Sequence, residues 1–201
     1  LSNTTPKSTG STPELNKIVF ISTRNGGKHI YSMNLDGNDV KQLSTTGINE
    51  APAWAPDRTR IAYHSITANG YQVFLMNADG SNPTQLTFGK GAFHPRWLPE
   101  GQTILFQGID ETSALDSHTE LFSLDPKTNT SQRLTRSTVR KFRPDSSKDG
   151  QKFVFEGHDY NLYRVNPDGS QETKLTDNTS GQVLMRYPRW SPDGKRIVFD
   201  S

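Results

Sequence analysis

Cysteine is absent from the 201 residues, which removes disulfides and thiolate metal sites as sources of stability. Apolar side chains are scarce as well. Leu, Ile, Val and Phe together number 42, close to the lower bound at which a chain can still build a packed core. No stretch approaches the roughly 18 to 20 consecutive apolar residues of a membrane span, and no charged-then-apolar leader opens the chain. It starts at Leu1 rather than Met, which fits an export segment already removed. One-signed charge is lacking too. Twenty-three Lys and Arg face 21 Asp and Glu, a formal +2, far short of the basic surface that phosphate neutralisation requires, so nucleic acid is not an expected partner. No window carries a helical period. With so little apolar material, a fold requires that it recur in small, regularly placed patches.

It does recur. Apolar runs begin at Ile18, Ile61, Ile104, Phe153 and Ile197, at intervals of 43, 43, 49 and 44 residues. That period suits four-stranded propeller blades and is too long for most leucine-rich or ankyrin units. Each unit repeats an aromatic (Tyr31, Phe74, Phe122, Tyr163), a leucine (Leu43, Leu86, Leu134, Leu175) and a proline (Pro52, Pro95, Pro144, Pro188). The aromatic-to-leucine interval is always 12 and the proline-to-run interval always 9, whereas the two other connections vary in length. The segments are short, rich in β-branched and aromatic residues, and separated by Gly, Asn, Asp and Pro, so they read as strands. The fixed 12-residue interval contains Asp36-Gly37, Asp79-Gly80 and Asp168-Gly169, a hairpin composition. The fixed 9-residue interval runs from Trp54, Trp97 or Trp190 into a Pro-Asp-Gly-like turn, with Ser146 replacing the tryptophan in one unit. That unit should pack less well at this point.

The stretches Ile18 to Arg24, Tyr31 to Gly37, Gln85 to Thr87 and Pro188 to Lys195 together resemble the TolB-type propeller repeat, from Lys17 to the end of the chain. The Trp-Asp dipeptide of the Trp-Asp repeat family is missing, and Gly-His occurs only once, at Gly157-His158, rather than in every unit. The resemblance implies an all-β propeller of four-stranded antiparallel blades, with the Pro-x-Trp element on the innermost strand and repeats starting near 17, 60, 103, 152 and 196. Four to five blades are represented: three strands of an opening blade, three full blades and two strands of a last one. A ring of six or more is expected, completed by further blades or by self-association, since open edges invite aggregation. Residues 1–16, dominated by Ser, Thr, Asn and Pro, read as a flexible linker.

In an up-and-down blade the two variable connections lie on one rim, where loops can carry function without setting the packing. The residues just before each recurring proline, and those preceding them, fall near the inner end of that rim. They include Glu50, Ala51, Phe93, His94, Phe142, Arg143, Arg186 and Tyr187. Different in every unit, and mixing aromatic area with both charges, they suit a protein or peptide better than a metal. The longest variable loop holds Asp110, Glu111, Asp116, His118 and Glu120, oxygen donors for calcium in principle but at no recognised spacing, so a solvated acidic loop is the reading. Nucleophile elbow, metalloprotease helix, phosphate loop and nucleophilic cysteine are all missing. No catalytic residue, cofactor or metal is expected.

The expectation is therefore a non-enzymatic binding scaffold. The resemblance implies a periplasmic or otherwise extracytoplasmic setting and a protein partner. The α/β domain that precedes the propeller in TolB has no counterpart in these residues, and no partner-specific residue is carried over. Two other readings stay open: the gating propeller of an α/β-hydrolase-type oligopeptidase whose catalytic domain lies outside this chain, and the sensor domain of a membrane receptor.

Overall fold

A computed structural model describes residues 16–112, 118–178 and 183–201; the expected linker lies outside them except for Asn16. Every regular element is a strand. The first sheet contains β1 (Lys17–Ser22), β2 (His29–Asn34) and β3 (Lys41–Gln42). The second has β4 (Asn49–Trp54), β5 (Arg60–Thr67), β6 (Gly70–Asn77) and β7 (Thr84–Gln85). The third has β8 (Ala92–Trp97), β9 (Ile104–Ile109), β10 (Thr119–Asp125) and β11 (Thr130–Arg133). The fourth has β12 (Lys141–Ser146), β13 (Phe153–Gly157), β14 (Leu162–Val165) and β15 (Thr173–Lys174), and the fifth β16 (Arg186–Trp190) and β17 (Ile197–Asp200). Strands pair antiparallel in chain order within each sheet. This is the blade plan expected from the repeat, and the described strands do not close into a ring.

Both constant intervals have a mechanical reason. Gly80 and Gly169 adopt φ of 88° and 82°, values that side chains resist. They also lie against the previous blade. A Cβ at Gly80 would stand 2.4 Å from the Leu43 carbonyl oxygen, and one at Gly169 2.0 Å from that of Leu134. The hairpin glycine thus sets blade spacing as well as chain reversal. In the 9-residue link, the N–H after each inner strand bonds back across the turn, as from Leu98 to Thr103 at 2.9 Å and from Ser147 to Lys152 at 2.8 Å. The unit that lacks tryptophan keeps the same turn. At that end a cleft of 480 Å³ opens between the fourth and fifth sheets, lined by Ser147, Lys152, Trp190 and Gly194.

The Leu-Thr signature also has a physical role. Outer strands β3, β7 and β15 pair over only two residues. Just beyond, a side-chain hydroxyl accepts the next strand N–H: Ser44 from Ile30 at 2.9 Å, Thr87 from Val73 at 2.8 Å, Thr135 from Leu121 at 3.0 Å and Thr176 from Leu162 at 3.0 Å. A buried N–H that the short ladder would leave unpaired is satisfied in every blade.

Three clusters form the core, each between neighbouring sheets. Ile30, Ile61, Tyr63 and Met76 join the first and second. Val73, Trp97, Ile104 and Phe106 join the second and third, and Leu105, Leu121, Phe153 and Phe155 the third and fourth. Inside each of the first four blades the run aromatic stacks on the recurring aromatic, at 5.4 to 5.8 Å between ring centres. Central strands β9 and β13 are buried almost throughout, whereas β17 exposes Val198 and Phe199.

Candidate recognition site at the inner rim

The residue before each recurring proline lies within the inner strand rather than in a loop. Ala51, His94, Arg143 and Tyr187 have φ of 49°, 50°, 52° and 53°. Each sits in a bulge, where pairing with the second strand breaks between Glu50 and Ala53, Phe93 and Arg96, Phe142 and Asp145, and Arg186 and Arg189. A non-glycine residue held left-handed at four equivalent places is uncommon and costs on the order of 1 kcal/mol or more each. Proline fits at the bulge because it has no N–H to pair there. The backbone is therefore constant and the side chain is not.

These side chains converge. The His94 ring meets that of Tyr187, 6.4 Å centre to centre, and the Arg143 guanidinium lies 4.4 Å from the Tyr187 ring centre. Inner strands of the third, fourth and fifth blades thus meet at one point. Phe93 extends the patch through Tyr71 at 5.6 Å and His64 at 6.0 Å. Glu50 pairs with Lys28 and stands 3.3 Å from His64 Nε2. Arg186 stacks over Tyr160 at 5.4 Å and approaches the Glu156 carboxylate at 4.0 Å, which Arg143 holds at 2.6 Å. Phe142 is half-buried and sits across from Glu156 in the ladder, with no ring partner among the described residues.

Among the participants that escaped the sequence reading, three share one place in the repeat: His64, Gln107 and Glu156. Each is the fourth residue of its apolar run. His64 Nδ1 accepts the His94 N–H at 3.0 Å, and Gln107 Oε1 accepts the Arg143 N–H at 3.3 Å. The second and third blades thereby each satisfy an inner-edge N–H of the next. Their signal was present as a polar residue closing an apolar run, varying from unit to unit as the rim residues do.

Burial pushes His64 down to about 4 against the favourable pull of Glu50. Burial and then His64 push His94 down to about 2. Both are neutral at pH 7. Because unfolded histidine binds its proton near pH 6.5, the folded state is favoured fully above that value and loses the advantage as pH falls toward 4. The loss from His64 between pH 6.5 and 4.5 is expected to be roughly 2 kcal/mol. His64→Gln should flatten that slope; a denaturation midpoint measured across the window that shifts equally in both proteins would contradict it.

Of the acidic loop, Asp110 is 2.6 Å from Arg133, Glu111 accepts the Lys90 N–H at 2.9 Å, and Glu120 is enclosed by Thr135, Ser137 and Lys141. Asp116 lies outside the described residues. Among the described residues no group of three or more His, Cys, Asp or Glu is placed to hold a metal ion, and no helix is long and apolar enough to cross a membrane.

A family model for the TolB beta propeller domain matches residues 3–139. An uncharacterized protein of Agrobacterium fabrum is 32% identical over 85 residues, spanning 41% of this chain and 28% of that one. Among solved structures, a protein provisionally named TolB from Agrobacterium tumefaciens superposes with a TM-score of 0.75 at 20% identity, covering 92% of this chain and 71% of that one. TolB from Acinetobacter baumannii gives 0.72 at 20%, covering 94% and 47%. At such identities the solved structures share the fold. The chain spans well under half of the curated relative it matches.

Proposed function

The chain belongs to the TolB beta propeller domain family, and on that footing we propose that it is a non-enzymatic, extracytoplasmic scaffold whose inner rim binds a protein or peptide. The observation that carries this reading is the set of four bulges. A costly backbone shape is kept at Ala51, His94, Arg143 and Tyr187 while the side chain changes each time. Stability alone would favour glycine there, whereas a recognition surface needs varied side chains on a fixed frame. Aromatic area from Phe93, Tyr71 and Tyr187 beside Arg143 and Arg186 has the composition of protein-binding hot spots. An extracytoplasmic setting follows the family.

The test is a photocrosslinking residue, p-benzoylphenylalanine, placed at Phe93 or Tyr187 in the native cell, with Leu35 as control. Leu35 is 68% exposed in the hairpin turn of the opposite rim. Adducts to one polypeptide, identified by mass spectrometry, are expected from Phe93 and Tyr187 in the exported fraction and not from Leu35. Equal adducts from all three positions, or none, would end the reading. An adduct to a catalytic domain of the same gene product would favour the gating propeller instead.

A further inference from the structure

Beneath the rim the inner strands carry a second layer of side chains. One residue past each recurring proline stand Ala53, Arg96, Asp145 and Arg189. Asp145 reaches into the next blade, where Oδ2 accepts the Trp190 N–H at 2.8 Å. The two guanidinium groups each donate one N–H to the carbonyl of the preceding proline, Arg96 to Pro95 at 3.1 Å and Arg189 to Pro188 at 2.7 Å. Neither forms an ion pair among the described residues, unlike Arg133, Arg143 and Arg186. A guanidinium carries five donors in a planar fork that matches a carboxylate. Here most of that capacity is unspent.

The surroundings neutralise the pair only in part. Asp145 lies between them and favours the charge of both, Asp200 favours that of Arg189, and Arg143 above is already held by Glu156. Burial and the neighbouring Arg189 pull Arg96 down to about 10, and burial pulls Arg189 in the same direction. Two guanidinium groups are thus kept partly desolvated and close enough to repel one another, with Asp145 and Asp200 offsetting part of that cost and without a direct ion pair to use their remaining donors.

We infer that Arg96 and Arg189, one layer beneath the rim, bind a carboxylate presented by the polypeptide that docks there, as its C-terminus or an acidic side chain. The inference rests on the rim reading for the source of the carboxylate, though not for the anion site itself. A planar two-oxygen group can offer a separate oxygen to each fork, which suits the guanidinium geometry better than one shared oxygen.

The experiment follows the arginine Nε–H resonances of the isotope-labelled chain while N-acetylglycine, a minimal C-terminal carboxylate, is titrated in, with inorganic phosphate as a second arm. Saturable shifts at Arg96 and Arg189 are expected with N-acetylglycine. Arg96→Gln and Arg189→Gln should each weaken the interaction at least about tenfold while leaving the melting temperature unchanged or higher. No shift with N-acetylglycine, shifts with phosphate alone, or a clear fall in melting temperature in either variant would overturn the inference. Carboxylate binding without crosslinks at Phe93 and Tyr187 would overturn the polypeptide source. Crosslinks without carboxylate binding would overturn the anion site and leave the rim reading standing.

Discussion

Replacing Lys141 with Met is expected to lower the melting temperature by roughly 6 to 20 °C, the equivalent of about 3 to 5 kcal/mol for a chain of this size. Lys141 opens β12 with a side chain that is 0% exposed. Its ammonium is 3.1 Å from Glu120, also 0% exposed, and 3.1 Å from Glu172. It donates to Ser137 Oγ and to the Val139 carbonyl, each at 2.8 Å, and lies 5.2 Å from the centre of the Phe155 ring. Methionine fills the volume but takes the nearer cation from the fully buried Glu120, which keeps the more distant Arg133 at 3.4 Å, and removes the cation from Glu172. Burial alone would raise Glu120, yet the Thr135 hydroxyl, the Ser137 N–H and Lys141 together hold it below its ordinary value. Once the cation is gone that balance tips, and Glu120 must take a proton or draw in water. The double change Lys141→Met with Glu120→Gln should recover most of the loss, because a neutral side chain tolerates the site far better than a lone charge. A thermal melt showing the single variant within 2 °C of the parent, a shift of less than about 1 kcal/mol, would mean that the network is solvated.

Trp97→Ala should cost about 3 to 5 kcal/mol by truncating a buried indole. Trp97 is 8% exposed, packs with Ala55, Ala62, Ile104 and Phe106, and is covered by the Arg60 guanidinium at 4.8 Å. Trp190 holds the same place in the repeat, but its sheet has two strands and its ring is half-buried beside the 480 Å³ cleft. Its truncation should cost half as much or less, since less surface returns to water. Chemical denaturation of the two variants side by side checks this. Equal losses would mean that the indole at each site is buried alike.

The blades were legible because their cause is repeated. Four copies of run, hairpin, leucine and proline place Lys17, Arg60, Ile104 and Phe153 at strand starts, within a residue of where the runs begin. A signal repeated in register survives the ambiguity of any one short apolar segment. The rim was legible in position and not in form. A residue before proline ordinarily takes an extended backbone, so nothing local announces the left-handed bulges at His94 or Tyr187. They follow from the inner strand having to bend where sheets converge. Lys141 was invisible for another reason. It reads as a polar residue at a strand start, while Glu120 reads as the end of an acidic loop, and only the stacking of the third and fourth blades brings them together. The same stacking turned part of that loop inward. Arg143 is likewise less free than a rim residue suggests, because reversing its charge would set a second carboxylate against the nearly buried Glu156.

The bulges also restrict what the rim can become. Valine, isoleucine and threonine crowd their own backbone when φ is positive, while asparagine, aspartate, histidine and glycine accept that twist with least cost. Positions 51, 94, 143 and 187 therefore draw from a reduced alphabet. A library that randomised them without regard to β-branching would lose many members to misfolding before any was tested for binding, and one weighted toward small polar, aromatic and unbranched side chains would keep more of its diversity.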